Sequence, residues 1–172
     1  MKQILALVLM VFGSFGAFAA DDMLTREFVP LDSFGLTKAS KSPKDSISDE
    51  DSEYVGWRCL GLTAAVGNEN LKPISKKDKQ TIEFFKETKA LSAEHAFYTF
   101  NDANKLTQDD YKTDNPYYNK AQLVLRSIVE KYLNIFQYNF KEANSYFDTQ
   151  FLRGDIDTCG SSFQMIYSLK NQ

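Results

Sequence analysis

The sequence predicts an all-α protein, built as a single bundle of about four helices with one disulfide and preceded by a signal peptide and a flexible N-terminal segment. Apolar residues recur every three or four positions in four segments after residue 50, where strand-like alternation is absent. The connections between these segments are short, as in helical bundles. The chain has only two cysteines, Cys59 and Cys159, which fall in the first and the last of these segments.

The first residues have the pattern of an export signal. Lys2 supplies the positive charge, an apolar run spans residues 4–12, and residues 17–19 read Ala-Phe-Ala, the small-x-small pattern of a cleavage site. We therefore expect cleavage after Ala19 and export to the periplasm or the extracellular space. An uncleaved membrane anchor is the alternative, although the run is short for a span and glycines follow it.

The predicted organisation is a signal peptide at 1–19, a flexible N-terminal segment at 20–50 and a helical bundle domain at 51–172. Within the flexible segment, Met23 to Leu36 holds several apolar residues around Pro30 and is a candidate for a short extended stretch that packs on the helices. Residues 37–52 are rich in Ser, Lys and Asp, a composition that is typical of a linker.

The first helix is predicted from about Asp51 to Val66, with Ser48 or Asp49 at its start. Cys59 lies on its main apolar stripe, and a second stripe beside it makes more than half of the surface apolar or small. Gly56 and Gly61 cost helix propensity, and their expected use is close approach by another helix. Gly67 stands where a C-terminal cap is expected.

The second helix is expected to begin with a capping box of Ser75 and Asp78 and to run to about Thr99. Pro116 is placed in the first turn of the third helix, whose apolar pattern persists to about Leu152. A kink or break near Asn139 or Asn144 is an open alternative.

Gly154 and Asp155 are expected to end the third helix and to cap the last one, at about 156–169. Each cysteine lies on the face that its helix would bury, so two meeting faces would bring the sulfurs of Cys59 and Cys159 together. Export favours a disulfide between them. The alternative is two unpaired buried thiols.

The formal charge argues against a nucleic-acid partner. The chain has 20 basic and 23 acidic residues, a net charge of −3, whereas nucleic-acid binding requires a basic face. After signal cleavage no apolar run is long enough to span a membrane.

We find no motif that predicts catalysis, a cofactor or a metal. His95 is the only histidine, and Leu91 stands where an inverted zinc motif needs a second one. The stretch from Asp155 to Gly160 begins like a calcium loop, but Cys159 occupies a position that needs an oxygen ligand. A helix N-terminus is the preferred interpretation of its acidic residues.

The aromatic content offers the best candidate for a binding surface. The chain has 14 Phe and 9 Tyr, and four tyrosines lie around the third helix, so not all of them can be core: Tyr117, Tyr118, Tyr138 and Tyr146. Exposed tyrosines are good contact residues at protein interfaces. The alternative is that they only complete the bundle, with their hydroxyls in water.

These observations predict an exported, non-enzymatic protein that binds another envelope or periplasmic macromolecule. The expected partner is a protein. An inhibitor, an assembly factor or a stress chaperone all fit this class. The alternative hypothesis is a carrier of small apolar ligands with a pocket between the helices. A hydrolase whose carboxylates or metal come together only on folding is a third hypothesis.

Overall fold

A computed structural model describes residues 23–34, 48–67, 71–89 and 116–170 of the chain. Within these ranges the regular structure is helical, and no strand occurs in them, which confirms the all-α prediction. A short 3-10 helix spans Leu31–Phe34. The α-helices are α1 (Asp49–Val66), α2 (Lys76–Glu87), α3 (Pro116–Ala143) and α4 (Gln150–Lys170). The predicted signal peptide and His95 lie outside the described residues.

Helix α1 has the ends that the sequence predicts. Ser48 is the N-cap, and its side chain accepts a hydrogen bond from the backbone N–H of Asp51 at 3.1 Å. This bond satisfies one of the donors that a helix start leaves unpaired. Gly67 closes the other end, where its N–H donates to the carbonyl oxygen of Thr63 at 2.9 Å.

Helix α1 is the central helix of the fold. It packs against α2, α3 and α4, and every residue from Glu53 to Cys59 is buried. A helix that contacts neighbours on several sides buries more than one stripe, which explains why its apolar surface is so broad.

Gly61 lets α3 approach α1 closely, as predicted. A Cβ added at Gly61 would lie 2.2 Å from the Cγ2 atom of Ile128 in α3. That distance is far below van der Waals contact, so a side chain here would have to push the two helices apart.

We expect Gly61→Ala to lower the free energy of unfolding by roughly 1–3 kcal/mol, because overpacking outweighs the gain in helix propensity of about 1 kcal/mol. Urea denaturation of both proteins measures the change. The companion variant Gly61→Ala/Ile128→Ala removes the clashing methyl groups and should lose less than the sum of the two single changes. A stabilised Gly61→Ala protein would contradict the close packing.

Helix α2 begins with the predicted capping box. The backbone N–H of Asp78 donates to the Ser75 side chain at 3.0 Å, and the Asp78 carboxylate accepts from the backbone N–H of Ser75 at 3.1 Å. Ile82 and Phe85 lie on the face of α2 that is buried in the core. Helix α2 ends at Glu87, with Thr88 as its C-cap, so the predicted single helix running to Thr99 is wrong. Positions 90–99 lie outside the described residues.

The third helix is shorter than the apolar pattern predicts, and the break falls near Asn144. Helix α3 ends at Ala143, and Asn144 adopts a left-handed backbone conformation with φ of 49°. Asparagine tolerates this conformation better than most residues. The buried Asn139 side chain then donates to the carbonyl oxygen of Tyr146 at 2.9 Å, which holds the turn in place. The predicted extension to Leu152 is therefore wrong, and the alternative of a break near Asn144 is confirmed.

The last helix starts earlier than predicted. Helix α4 begins at Gln150, and the carbonyl oxygen of Thr149 accepts from the backbone N–H of Arg153 at 2.9 Å. Gly154 and Asp155 consequently lie inside the helix and do not cap it. The prediction of a helix N-terminus at Asp155 is wrong, because the asparagine-stabilised turn leaves room for one more helical turn before it.

The disulfide joins the central helix to the last one, as predicted. Cys59 and Cys159 are bonded, with Cα atoms 5.4 Å apart, and both residues are fully buried. The bond spans 100 positions of the chain. It therefore ties the beginning of the helical domain covalently to its end.

Residues 23–34, which we call the strap, pack on the bundle. Met23 and Leu31 belong to the buried core, and Phe28 and Phe34 pack against it. The strap lies within the predicted flexible segment 20–50, in the stretch that was expected to pack on the helices, and this packing is confirmed. Its last part, Leu31–Phe34, is a 3-10 helix and not extended backbone. Gly154 of α4 accommodates it closely, because a Cβ there would lie 2.9 Å from the Cγ atom of Asp32.

Candidate functional site

The predicted partner-binding tyrosines fall into two groups. Tyr138 is 65 % exposed on α3, and Tyr146, half-buried in the turn after α3, stacks on the ring of Phe140 with centroids 5.5 Å apart. Tyr117 and Tyr118 lie in the first turn of α3, and their side chains are outside the described part of the structure. The structure thus gives side-chain positions for Tyr138 and Tyr146 only.

The most unusual polar feature is a buried ion pair that the sequence analysis missed. Arg58 of α1 and Asp155 of α4 have fully buried side chains, and Arg58 Nη2 lies 2.5 Å from Asp155 Oδ2. The hydroxyl of Tyr132 in α3 donates to the same carboxylate oxygen at 2.5 Å and accepts from Arg58 Nε at 2.9 Å. Three helices therefore meet at one charged cluster.

The strap completes this cluster with its backbone. Arg58 Nη1 donates to the carbonyl oxygen of Val29 at 3.1 Å, and the backbone N–H of Leu31 donates to Asp155 Oδ1 at 2.7 Å. Tyr54 accepts from Arg58 Nη1 at 3.1 Å, and its own hydroxyl donates to a strap carbonyl, that of Glu27, at 3.2 Å. These hydrogen bonds help to satisfy the buried charges of Arg58 and Asp155, because burying a charged group without such partners costs free energy.

Aromatic rings enclose the guanidinium group. The Cζ atom of Arg58 lies 3.5 Å from the centroid of the Phe28 ring, within the range of a cation–π interaction. Phe28 stacks in turn on Phe151 of α4, with centroids 5.8 Å apart, and meets the edge of Tyr132 at 5.0 Å. The strap ring therefore covers the outer side of the buried arginine.

Burial and charge act in opposite directions on this cluster. Burial raises the pKa of Asp155 above its ordinary value, although Arg58 and the hydrogen bonds from Tyr132 and Leu31 favour the ionised carboxylate and limit the increase. Burial lowers the pKa of Arg58, but Tyr132 and Asp155 more than offset this, and the net pKa is raised. Burial, followed by the charge of Asp155, holds the pKa of Tyr132 well above its usual value.

The raised pKa of Tyr132 predicts a loss of stability in alkali. The unfolded chain ionises its tyrosines near pH 10, whereas the folded chain keeps Tyr132 neutral, so its contribution is complete below about pH 10 and is lost as the pH rises further. Above pH 10 the free energy of unfolding of the parent should fall as the pH rises. In Tyr132→Phe we expect this fall to be smaller by about 1.4 kcal/mol per pH unit.

Urea denaturation between pH 7 and 11 measures this slope, with Tyr138→Phe as the matched control for loss of an exposed hydroxyl. At pH 7 we expect Tyr132→Phe to be less stable than the parent by about 1–3 kcal/mol, because it deprives the buried Arg58 and Asp155 of one partner. An alkaline slope as steep in Tyr132→Phe as in the parent would contradict the buried, neutral hydroxyl.

A second, exposed charge cluster connects α2 with the turn before α4. Asp148 accepts from Arg153 and, at 3.1 Å, from Lys77 of α2. Hydrogen bonds from Arg153 and Lys77 lower the pKa of Asp148. The partners are open to solvent, so this cluster contributes little to stability.

A shallow groove lies between α2 and α4. Its volume is about 480 Å³, and Phe84 and Ile156 form its apolar part beside Gly160. Polar side chains make up the remaining lining: Gln80, Thr81, Asp157, Ser161 and Gln164. The groove is open to solvent, and its lining combines an apolar part with several polar side chains.

The described residues hold no group of three or more His, Cys, Asp or Glu side chains placed to share a metal ion. Among the described helices, none is long and apolar enough to cross a membrane. His95, the histidine weighed as a metal ligand, lies outside these ranges.

One signal in the sequence points to the buried pair. Arg58 is the only charged residue between Tyr54 and Val66, in a segment that is otherwise apolar or small. Asp155 stands four positions before Cys159 and so shares its face of the helix. The disulfide brings Cys59 and Cys159 together. Arg58 and Asp155 each lie beside one of these cysteines, so a disulfide predicts that the two charged side chains also come close.

This protein is defined structurally by its helical architecture, by a disulfide between the central and last helices, and by a buried ion pair beneath the strap. Comparisons with protein-family models, with curated proteins and with solved structures found no match. Any account of function therefore rests on the residues and geometry of this chain.

Proposed function

We propose that this protein is exported and acts by binding another protein of the envelope or the extracellular space, without catalysing a reaction. The observation that carries this proposal is the group of aromatic side chains near the C-terminal end of α3. Tyr138 is 65 % exposed, and Phe140 is 43 % exposed while its ring stacks on Tyr146. Exposed aromatic rings supply much contact area at little entropic cost, which is why they are frequent in protein interfaces.

The scaffold under these rings supports a binding role. The Cys59–Cys159 bond and the Arg58–Asp155 pair both hold α1 against α4, and Tyr132 ties α3 to the same pair. A surface carried by helices that are fastened together loses little conformational freedom on binding. Asn139, which stabilises the turn that carries Tyr146, extends this rigidity to the aromatic group.

Export is supported by the disulfide and by the first residues of the chain. A buried disulfide is typical of oxidising compartments and suggests an exported protein. The apolar run followed by Ala-Phe-Ala at residues 17–19 supports a cleaved signal peptide, with the mature chain starting at Ala20. Within the class of binding proteins, inhibitor, assembly factor and stress chaperone remain the candidate roles.

Site-specific photo-cross-linking in the producing cells tests the binding surface. A benzophenone amino acid in place of Tyr138 should cross-link to one predominant exported protein. The same amino acid in place of Leu123, which is also apolar and 53 % exposed but lies roughly 22 Å away along α3, is the matched control and should not. Phe140→Ala should weaken the cross-link at position 138. Equal cross-linking at both positions, or none at position 138, would contradict the proposal.

The groove between α2 and α4 supports a second candidate function, the carriage of a small ligand. Its volume of about 480 Å³ lies within the range of ligand pockets, and Phe84 with Ile156 offers an apolar floor. The mixed polar and apolar lining favours an amphipathic ligand over the apolar one expected from the sequence. Mass spectrometry of the purified protein under non-denaturing conditions should then show a bound small molecule that Gly160→Leu displaces, and an unloaded protein would remove this candidate.

A further inference from the structure

The strap is held in the way that a protein holds a bound peptide. Its main chain is recognised at two successive points, the carbonyl oxygen of Val29 by Arg58 and the N–H of Leu31 by Asp155. Recognition of backbone groups by a charged donor and a charged acceptor does not depend on the side chains of the segment that is held. Side-chain pockets then supply the selectivity, as they do for extended peptides bound by other proteins.

Two side chains of the strap fill such pockets. The Phe28 ring lies between the Arg58 guanidinium, 3.5 Å from the ring centroid, and Phe151, on which it stacks. Leu31, three residues later, is fully buried. Pro30, between these two residues, restricts Val29 to an extended conformation. The carbonyl oxygen of Pro30 accepts a hydrogen bond from the backbone N–H of Ser33, which starts the following turn. The segment that fits is therefore Phe-x-Pro-Leu.

The walls of this site are joined to each other without the strap. Cys59 follows Arg58 directly, and Cys159 lies one helical turn after Asp155, so the disulfide fixes α1 and α4 beside the ion pair. Tyr132 adds the wall from α3 through its bonds to both charges. A site with covalently joined walls can persist when the segment that fills it leaves.

We propose that the bundle carries a peptide-binding site for an extended Phe-x-Pro-Leu segment of another exported protein, and that residues 28–31 of its own strap fill this site at rest. The strap is connected to α1 through residues 35–47, and a short tether of this kind gives an effective concentration in the millimolar range. A foreign segment must compete with it, so the strap is autoinhibitory. This proposal does not depend on the aromatic surface around Tyr138.

The test uses the full chain with a protease recognition sequence inserted between residues 37 and 46. After cleavage, the strap is held only by its non-covalent contacts. A fluorescent synthetic peptide of residues 22–36 should exchange into the cut protein with one site per molecule, as measured by fluorescence anisotropy. The uncut protein should bind it at least ~10-fold more weakly, because the tethered strap competes.

Peptide variants separate specific binding from adhesion to the bundle. A peptide with Phe28→Ala and Leu31→Ala should bind at least ~10-fold more weakly, because it lacks both anchors. Ser33→Ala is the matched control and should bind like the parent, since Ser33 is exposed and its hydroxyl bonds only within the strap, to the carbonyl oxygen of Pro30.

Each other outcome overturns the proposal. Loss of helical circular dichroism on cleavage would show that the strap is an inseparable part of the core. A strap that never exchanges, or a double-alanine peptide that binds as well as the parent, would exclude a selective, displaceable site. A stable dimer of the uncut protein at micromolar concentration would make a second copy of the chain the occupant instead of a foreign peptide.

Discussion

Replacing Arg58 with methionine is expected to lower the free energy of unfolding by about 3–5 kcal/mol. Methionine keeps most of the side-chain volume but leaves Asp155 buried without its ionic partner. It also removes the donor to the strap carbonyl of Val29 and the cation–π contact with Phe28. Urea denaturation at pH 7 measures the loss.

The double variant Arg58→Met/Asp155→Leu is the matched comparison. It removes both charges, so no unpaired carboxylate remains, and we expect it to be more stable than Arg58→Met alone. The backbone N–H of Leu31 then loses its acceptor, which leaves some destabilisation relative to the parent. A cost below about 1 kcal/mol for Arg58→Met would contradict a buried, interacting pair.

Removal of the disulfide is the second large effect that we expect. In Cys59→Ala/Cys159→Ala the free energy of unfolding should fall by about 2–5 kcal/mol, because the unfolded chain regains the freedom that a bond across 100 positions removes. Both sulfurs are fully buried, so the alanines also lose packing contacts. Thermal or urea unfolding with and without a reductant measures the difference.

The reductant provides the control for this prediction. The parent protein, once fully reduced, should unfold at a lower urea concentration than its oxidised form, whereas the double-alanine variant should not respond to the reductant. A reduced parent with an unchanged midpoint would show that the bond contributes nothing to stability.

Local signals in the sequence predicted the parts of the fold that depend on neighbouring residues. Ser48 and Ser75 begin α1 and α2 because each side chain accepts a backbone hydrogen bond three residues on. Gly61 indicated close helix packing because glycine inside a helix is otherwise costly. The disulfide was predicted from two cysteines on buried helix faces and from the export signal pattern of the first residues.

Features that depend on distant residues were not predictable in the same way. Asp155 was interpreted as a helix start because an acidic residue after glycine is typical of one, but its partner Arg58 lies 97 positions away. The turn at Asn144 depends on a side chain from the helix before it, that of Asn139. The apolar pattern continues through this turn because Phe147 is buried in the same core, so periodicity alone gave no sign of the break.

The proposed binding surface was predictable only in part. Composition indicated more tyrosines around the third helix than a core can hold, and Tyr138 is exposed accordingly. The strap site was not predicted, because it combines backbone groups of one segment with charges from two helices. Its aromatic anchor, Phe28, has no local signal that separates it from an ordinary core residue.

Mass spectrometry of the protein recovered from its native compartment tests the central claim most directly, namely that an exported chain has its central and last helices joined by a disulfide. After thiol alkylation without reduction and proteolysis, we expect a cross-linked pair of peptides containing Cys59 and Cys159, together with a mature N-terminus at Ala20. Recovery of both cysteines as separate alkylated peptides, on a chain that still carries residues 1–19, would contradict the account.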